Sequence, residues 1–138
     1  MSILVTGSSG FIGARIVTKL LERGEEVVCF DQTPLGDFSR SRPSAGVAHT
    51  YRGDVTQLAH LLDAVVSYGV TRVVHMAALL PPISEERPSD GFYVNIQGTN
   101  NVFEIARMEG LDRVVYASSI AVYGAQESHG QRSLTEDD

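Results

Sequence analysis

A doubly wound α/β domain, with five parallel strands and helices on both faces, is predicted by three features of the 138-residue sequence. Short β-branched runs alternate with longer segments of helical apolar spacing. A glycine-rich turn joins the first run to the first helical segment. Several runs are apolar at nearly every position, as strands covered on both faces must be.

Strands are expected over residues 3–6, 26–31, 49–52, 72–77 and 113–118. The first helix carries Ile12, Ile16, Val17, Leu20 and Leu21, and the second Leu58, Leu61, Leu62, Val65 and Val66. They stop at Gly24 and Gly69, residues suited to a left-handed helix end. A third helix opens near Pro88 or Ser89, runs to about Met108 and stops at Gly110. Residues 34–46 read as a polar, mobile connection, and 79–87 as an irregular stretch begun by Pro81-Pro82. The segment from Gly124 onward is polar and lacks a core-forming pattern.

Composition narrows the function. With 43% hydrophobic and 20% charged residues, the chain resembles one globular domain with one core. A net charge of −6 argues against a nucleic-acid or anionic-membrane partner and leaves small-molecule chemistry. Met1 leads straight into the first strand without a signal-peptide pattern, and no apolar run has membrane-spanning length, so a cytoplasmic protein is expected. Cys29, the single cysteine, reads as a buried hydrophobe in a reducing compartment. No His, Cys and carboxylate cluster has metal-ligand spacing, so no metal is expected.

The strongest motif is Thr6-Gly7-Ser8-Ser9-Gly10-Phe11-Ile12-Gly13. A dinucleotide pyrophosphate needs a tight strand-to-helix turn, a backbone it can touch, and a helix N-terminus facing the anion. Gly7, Gly10 and Gly13 answer these needs in turn, with Phe11 and Ile12 in the first helical turn. This places the chain with Rossmann-type dinucleotide folds. Asp31 follows Gly13 by eighteen positions, at the end of the second strand, with Gln32 beside it. A carboxylate there accepts from the adenine-ribose hydroxyls and repels a 2′-phosphate, which favours NAD over NADP; the next arginines along the chain considered, Arg40 and Arg42, lie well into the loop. The plainer reading of Asp31 is a strand-end turn residue.

The T-G-x-x-G-x-x-G spacing resembles the extended short-chain dehydrogenases of the NAD-dependent epimerase/dehydratase family, and further motifs follow in the same order. Gly53-Asp54-Val55-Thr56 is similar to that family's motif after the third strand, which implies that Asp54 bonds the adenine amino group and Val55 packs on the ring. Asp54 or Thr56 as a helix N-cap is equally sound physically, and both roles can coexist. His75-Met76-Ala77-Ala78 resembles the family's H-x-A-[AG], implying that Met76, Ala77 and Ala78 border the cofactor and that His75 is structural. Asn95-Ile96-Gln97-Gly98-Thr99 resembles N-V-x-G-T, implying that Asn95 bonds main chain near the cofactor, against the alternative of a solvated helix amide. Ala117-Ser118-Ser119-Ile120-Ala121-Val122-Tyr123-Gly124 resembles the family's S-S-x-x-V-Y-G. It implies that Ser119 occupies the catalytic Ser/Thr position, that Ala117 and Ser118 border the cofactor, and that Tyr123 is not the catalytic tyrosine.

The family's Tyr-x-x-x-Lys pair is absent, and Lys19 is the only lysine. The resemblance therefore implies a truncated cofactor domain spanning residues 1–138, inactive alone, within a longer enzyme. That enzyme is expected to move hydride to and from a hydroxyl-bearing carbon of a nucleotide sugar or related alcohol. Glu85 and Glu86, in the loop expected beside the substrate, weaken the diphosphate reading. The alternative is a non-catalytic NAD-binding regulatory or scaffold module. Phe92, Ile96, Val102, Phe103 and Ile105 are expected to include exposed apolar surface on the 89–108 helix, favouring a homo-oligomer.

Overall fold

The computed structural model describes residues 1–33, 45–124, 126–130 and 132–136. The predicted connection at 34–46 therefore lies outside the described residues, apart from Ala45 and Gly46. Five strands, β1 (Ser2–Thr6), β2 (Glu26–Asp31), β3 (Val47–Arg52), β4 (Val70–His75) and β5 (Arg113–Tyr116), form one sheet in the order β3-β2-β1-β4-β5. Every neighbouring pair is parallel, so the doubly wound arrangement expected from the sequence is present.

Strand ends differ from expectation for identifiable reasons. β4 stops at His75, the partner of the last β1 residue: Met76 N still donates to Thr6 O at 3.2 Å, and beyond it Ala77 N turns onto Thr6 Oγ1 at 3.3 Å. Tyr116 is the ladder partner of His75, so β5 has nothing left to pair with at residues 117 and 118. β3 begins earlier than expected, where Val47 pairs with Glu26.

Alternation of side chains along each strand builds two cores. Leu4, Val28, Phe30 and Val73 face α2 (Leu58–Ser67) and α5 (Gly98–Glu109), burying Leu61, Ala64, Val65, Val102 and Ile105. Ile3, Val5, Val27 and Cys29 face α1 (Phe11–Glu22) and bury Val17 and Leu21. Each fully buried aliphatic side chain contributes about 1.5–3 kcal/mol, so the sheet is held from both sides. Burial pushes the Cys29 thiol up to about 11, in keeping with an inert packing residue.

The stretch at 79–87 contains one helical turn, α3 (Ile83–Glu86). Beyond it, α4 (Pro88–Gly91), a π-helical segment (Phe92–Gln97) and α5 form one continuous right-handed run, the third helix expected. It ends at Gly110 in the left-handed conformation. Phe92, Ile96 and Phe103 are exposed, as anticipated for part of this helix. Val102 and Ile105 are not, because they share a face with Gly98 and Asn101 and enter the core beside Val55 and Leu61. No helix among the described residues is long and apolar enough to cross a membrane.

Candidate functional site

Strand order reverses at β1, whose neighbours are β2 on one side and β4 on the other. Connections leaving the carboxyl ends of such strands diverge and open a crevice between them. Two clefts of about 480 and 690 Å³ occupy it, and Gly7, Gly10 and Met76 to Leu79 line both. The first is completed by Asp31, Gln32, Thr33, Gly53, Val55 and Val94. The second is completed by Phe11, Ile12, Gly13, Asn95, Thr99 and Tyr116 to Ser119, among others.

The three loop glycines have different physical roles. At Gly7, φ is +64° and an added Cβ would lie 2.7 Å from the Ala77 amide nitrogen, so backbone shape and space both demand glycine. At Gly13 a Cβ would lie 2.9 Å from the Gly7 carbonyl carbon and closer still to its oxygen, so the helix can approach the loop only without a side chain. Gly10 has ordinary extended backbone, and its Cβ would meet only Gly7 O at 3.2 Å. No packing among the described residues requires glycine there, and Gly10 lines both clefts. Gly10 is also the N-cap of α1 and provides no side-chain cap, so the first-turn N–H groups and the helix dipole remain for an anion. The cradle fits a dinucleotide pyrophosphate.

At the far end of the first cleft, Asp31 accepts from Ser9 N at Oδ2 and Thr33 N at Oδ1, both at 3.0 Å. Ser9 Oγ donates to Thr33 O at 2.6 Å, so strand end and glycine loop are tied together. The carboxylate faces the cleft with both oxygens oriented by main chain. Asp54 behaves differently. Its Oδ1 accepts from Thr56 N at 2.8 Å, closing a turn, while its neighbours Gly53 and Val55 form the cleft wall. The helix that follows has Gln57 at its N-cap, so neither Asp54 nor Thr56 caps it. Val55 is pinned from behind, with Asn101 Nδ2 donating to its carbonyl at 2.8 Å and Gly98 leaving room for its side chain.

His75 is buried and its hydrogen bonds define its tautomer. Thr99 Oγ1 donates to Asn95 O at 2.7 Å, so it accepts from His75 Nε2–H at 3.0 Å. His75 Nδ1 then accepts from Thr6 Oγ1 at 2.6 Å, and Thr6 in turn receives Met76 N and Ala77 N. Burial lowers the imidazole pKa and keeps this neutral form, which is the structural role expected of His75. Asn95 is no solvated amide. Its Oδ1 accepts from Leu79 N at 2.7 Å and its Nδ2 donates to Leu79 O at 2.9 Å, fixing the segment shared by both clefts.

Ser119 lines the second cleft and is the N-cap of a short 3₁₀ turn (Ile120–Tyr123), accepting from Ala121 N at 3.1 Å. An oxygen that accepts from main chain still carries its own proton, so the hydroxyl is oriented and able to donate. Ala117 and Ser118 lie beside it.

The structure thus gathers the site residues singled out in the sequence around one crevice, except that Asp54, between the wall residues Gly53 and Val55, lines neither cleft. Sequence reasoning missed Thr6, Thr99 and Arg52. Thr6 and Thr99 were legible only as members of their motifs; their joint role appears once β4 lies against β1 and the third helix crosses it. Arg52 pairs with Asp31 in the β2–β3 register, so the arginine next to Asp31 comes from twenty-one positions downstream rather than from Arg40 or Arg42, which lie outside the described residues.

The model of the NAD dependent epimerase/dehydratase family matches residues 3–138. Over 131 residues the sequence is 37% identical to a 3-beta-hydroxysteroid dehydrogenase of Mycolicibacterium neoaurum, a similarity covering 91% of this chain and 34% of that protein. It is 33% identical over 132 residues to UDP-glucose 4-epimerase of Erwinia amylovora, covering 91% of this chain and 39% of that one. Its structure resembles MoeE5 in complex with UDP-glucose and NAD, with a TM-score of 0.82, 34% identity, and coverage of 100% of this chain and 42% of that chain. The chain therefore spans about a third to two fifths of the length of these relatives.

Proposed function

Because this chain belongs to the NAD-dependent epimerase/dehydratase family, we propose that it supplies the dinucleotide site and one substrate-facing hydroxyl of an NAD-dependent epimerase, dehydratase or dehydrogenase. The single observation that carries this reading is Gly10, whose missing side chain leaves open the floor shared by two clefts at an uncapped helix N-terminus. The N–H groups of Phe11 and Ile12 would hold the pyrophosphate, with Gly13 letting α1 come close enough. Asp31 would take the adenine-ribose hydroxyls, Gln32 and Val55 would flank the adenosine half, and Asp54, with Oδ1 held by Thr56 N, would offer its other oxygen to the adenine amino group. Met76, Ala77 and Ala78 would form the floor, held by Thr6 on one side and by Asn95 through Leu79 on the other. Ala117 and Ser118 would border the reactive half.

When bound, NAD supplies a hydride acceptor and donor for a hydroxyl-bearing carbon. Ser119 would be the catalytic hydroxyl, donating to the substrate oxygen as its bond order to carbon changes. The partner that exchanges the proton is not a Tyr-x-x-x-Lys pair of these 138 residues, since none occurs in the sequence. The chain's coverage of only about a third to two fifths of its relatives supports reading residues 1–138 as the dinucleotide domain of an enzyme that acts on a nucleotide sugar or another hydroxyl-bearing compound. The relatives are named for UDP-glucose and for a 3-beta-hydroxysteroid, two compounds that share a hydroxyl-bearing carbon. Exposure of Phe92, Tyr93, Ile96 and Phe103 supports self-association through the third helix, and a free, buried Cys29 fits a cytoplasmic setting. A non-catalytic module is the weaker reading, because Ser119 is intact and oriented at the cleft.

Calorimetric titration of the 138-residue chain with NAD tests the reading. Saturable binding at one site is expected, and loss of that heat in Gly10→Val without loss of fold assigns it to the cradle. A folded chain that takes up no NAD overturns the assignment.

A further inference from the structure

The carboxylate of Asp31 is the ground for preferring NAD, yet the sheet places a positive charge beside it. In the parallel β2–β3 register the last pair is Asp31 with Arg52. The chain is fastened there, Gly53 N donating to Asp31 O at 3.0 Å. Arg52 Nε donates to Gln32 O at 3.2 Å, which ties its guanidinium to a residue of the cleft wall. Gly53, next in the chain, is part of that wall. The two oxygens of Asp31, meanwhile, are already engaged by the amides of Ser9 and Thr33, which offset part of the negative charge met by an incoming anion.

We propose that Arg52 is a second specificity determinant of the dinucleotide site, giving it a weaker but real affinity for the 2′-phosphorylated dinucleotide. The inference rests on the dinucleotide reading above and adds a ligand to it. Guanidinium is permanently charged and presents a planar fork that matches phosphate oxygens. The bond to Gln32 uses Nε, and a 2′-phosphate would be met through the fork's terminal nitrogens. Asp31 and Arg52 then act in opposition: the carboxylate selects the free ribose hydroxyls, and the arginine limits how strongly the phosphorylated ribose is rejected. Neighbours in the chain do not reveal this pairing, because it is created by strand register.

The test is titration of the wild-type chain, Arg52→Gln, Asp31→Asn and the double variant with NAD and with NADP at one fixed ionic strength, with thermal melting as the check on folding. The wild type should bind both, NAD more tightly. In Arg52→Gln the ratio of NADP to NAD affinity should fall by roughly tenfold, the size of one exposed charge-assisted contact. Asp31→Asn should raise that ratio, and more so with Arg52 present than in the double variant. An unchanged ratio in folded Arg52→Gln, or NADP binding too weak to detect at a hundred times the NAD dissociation constant, overturns the role of Arg52 while leaving the NAD site standing. Absence of binding by either dinucleotide overturns both readings.

Discussion

Gly10 and Gly13 differ by three positions in one loop, yet adding the same methyl group should have opposite consequences. In Gly13→Ala the new Cβ would sit 2.9 Å from the Gly7 carbonyl carbon and 3.1 Å from Ser8 Cα, with the Gly7 oxygen nearer still. All three are backbone atoms, so no side-chain rotation relieves the clash. Loop and α1 must part by roughly 1 Å, and overpacking of that size costs about 1–3 kcal/mol. For a domain of this length that is a fall in Tm of roughly 4–12 °C. In Gly10→Ala the contact is a single oxygen at 3.2 Å and the backbone is extended, so stability should stay within about 0.5 kcal/mol of wild type. The methyl group would instead stand in the shared floor of the clefts and lower NAD affinity by at least about tenfold, more than about 1.4 kcal/mol. Melting curves and calorimetric titration on the two variants separate the effects. A Gly13→Ala protein with unchanged Tm, or a Gly10→Ala protein that binds NAD like wild type, would refute the assignment of one glycine to packing and the other to ligand.

Three further outcomes follow from buried groups. Ser8 Oγ is buried and has no hydrogen-bond partner among the described residues, so Ser8→Ala should raise stability by about 1 kcal/mol, read as a higher Tm or denaturant midpoint. Burial lowers the His75 pKa below its ordinary 6.5, so the unfolded chain binds a proton that the folded chain resists. Stability from this group is complete above pH 6.5 and declines as pH falls toward the folded-state pKa. Denaturant titrations between pH 7.5 and 5.5 should show that decline in wild type and a smaller one in His75→Gln; equal slopes would contradict it. With its thiol pushed up to about 11 from 9.0, Cys29 should present roughly a hundredfold less thiolate than a free cysteine. Thiol-reagent kinetics at pH 8 should therefore be slow in native protein and fast in denaturant.

Much of this architecture was legible because the relevant signals are local. Helix α1 is announced by Ile12, Ile16, Val17, Leu20 and Leu21, and the dinucleotide loop by glycines whose spacing is fixed by one tight turn. Ladder ends were not legible, since they depend on where a neighbour stops: β5 ends at Tyr116 only because β4 ends at His75. The third helix was placed correctly, but its exposed face was drawn too wide. Val102 and Ile105 look no different from Phe103 in sequence; only the packing of Gly98 against Val55 decides which of them is inside. The same limit explains Arg52 and the Thr6–His75–Thr99 chain, each a contact between residues brought together by sheet pairing or helix crossing.

The strand order has a consequence for how the chain comes off the ribosome. Among the described strands β1 is made first, yet it lies in the middle of the sheet, and the neighbour on its second edge, β4, begins only at Val70. After β2 is complete at Asp31, about 40 residues must still be added, a wait of roughly 2–8 s at ordinary rates of synthesis. During that interval the apolar row Ile3-Leu4-Val5 presents an open edge, ready to pair with any extended chain. A nascent β1–α1–β2 unit is thus a natural client for chaperones that shield strand edges, and synonymous changes that slow translation before Val70 should lower the yield of native protein without altering a single residue.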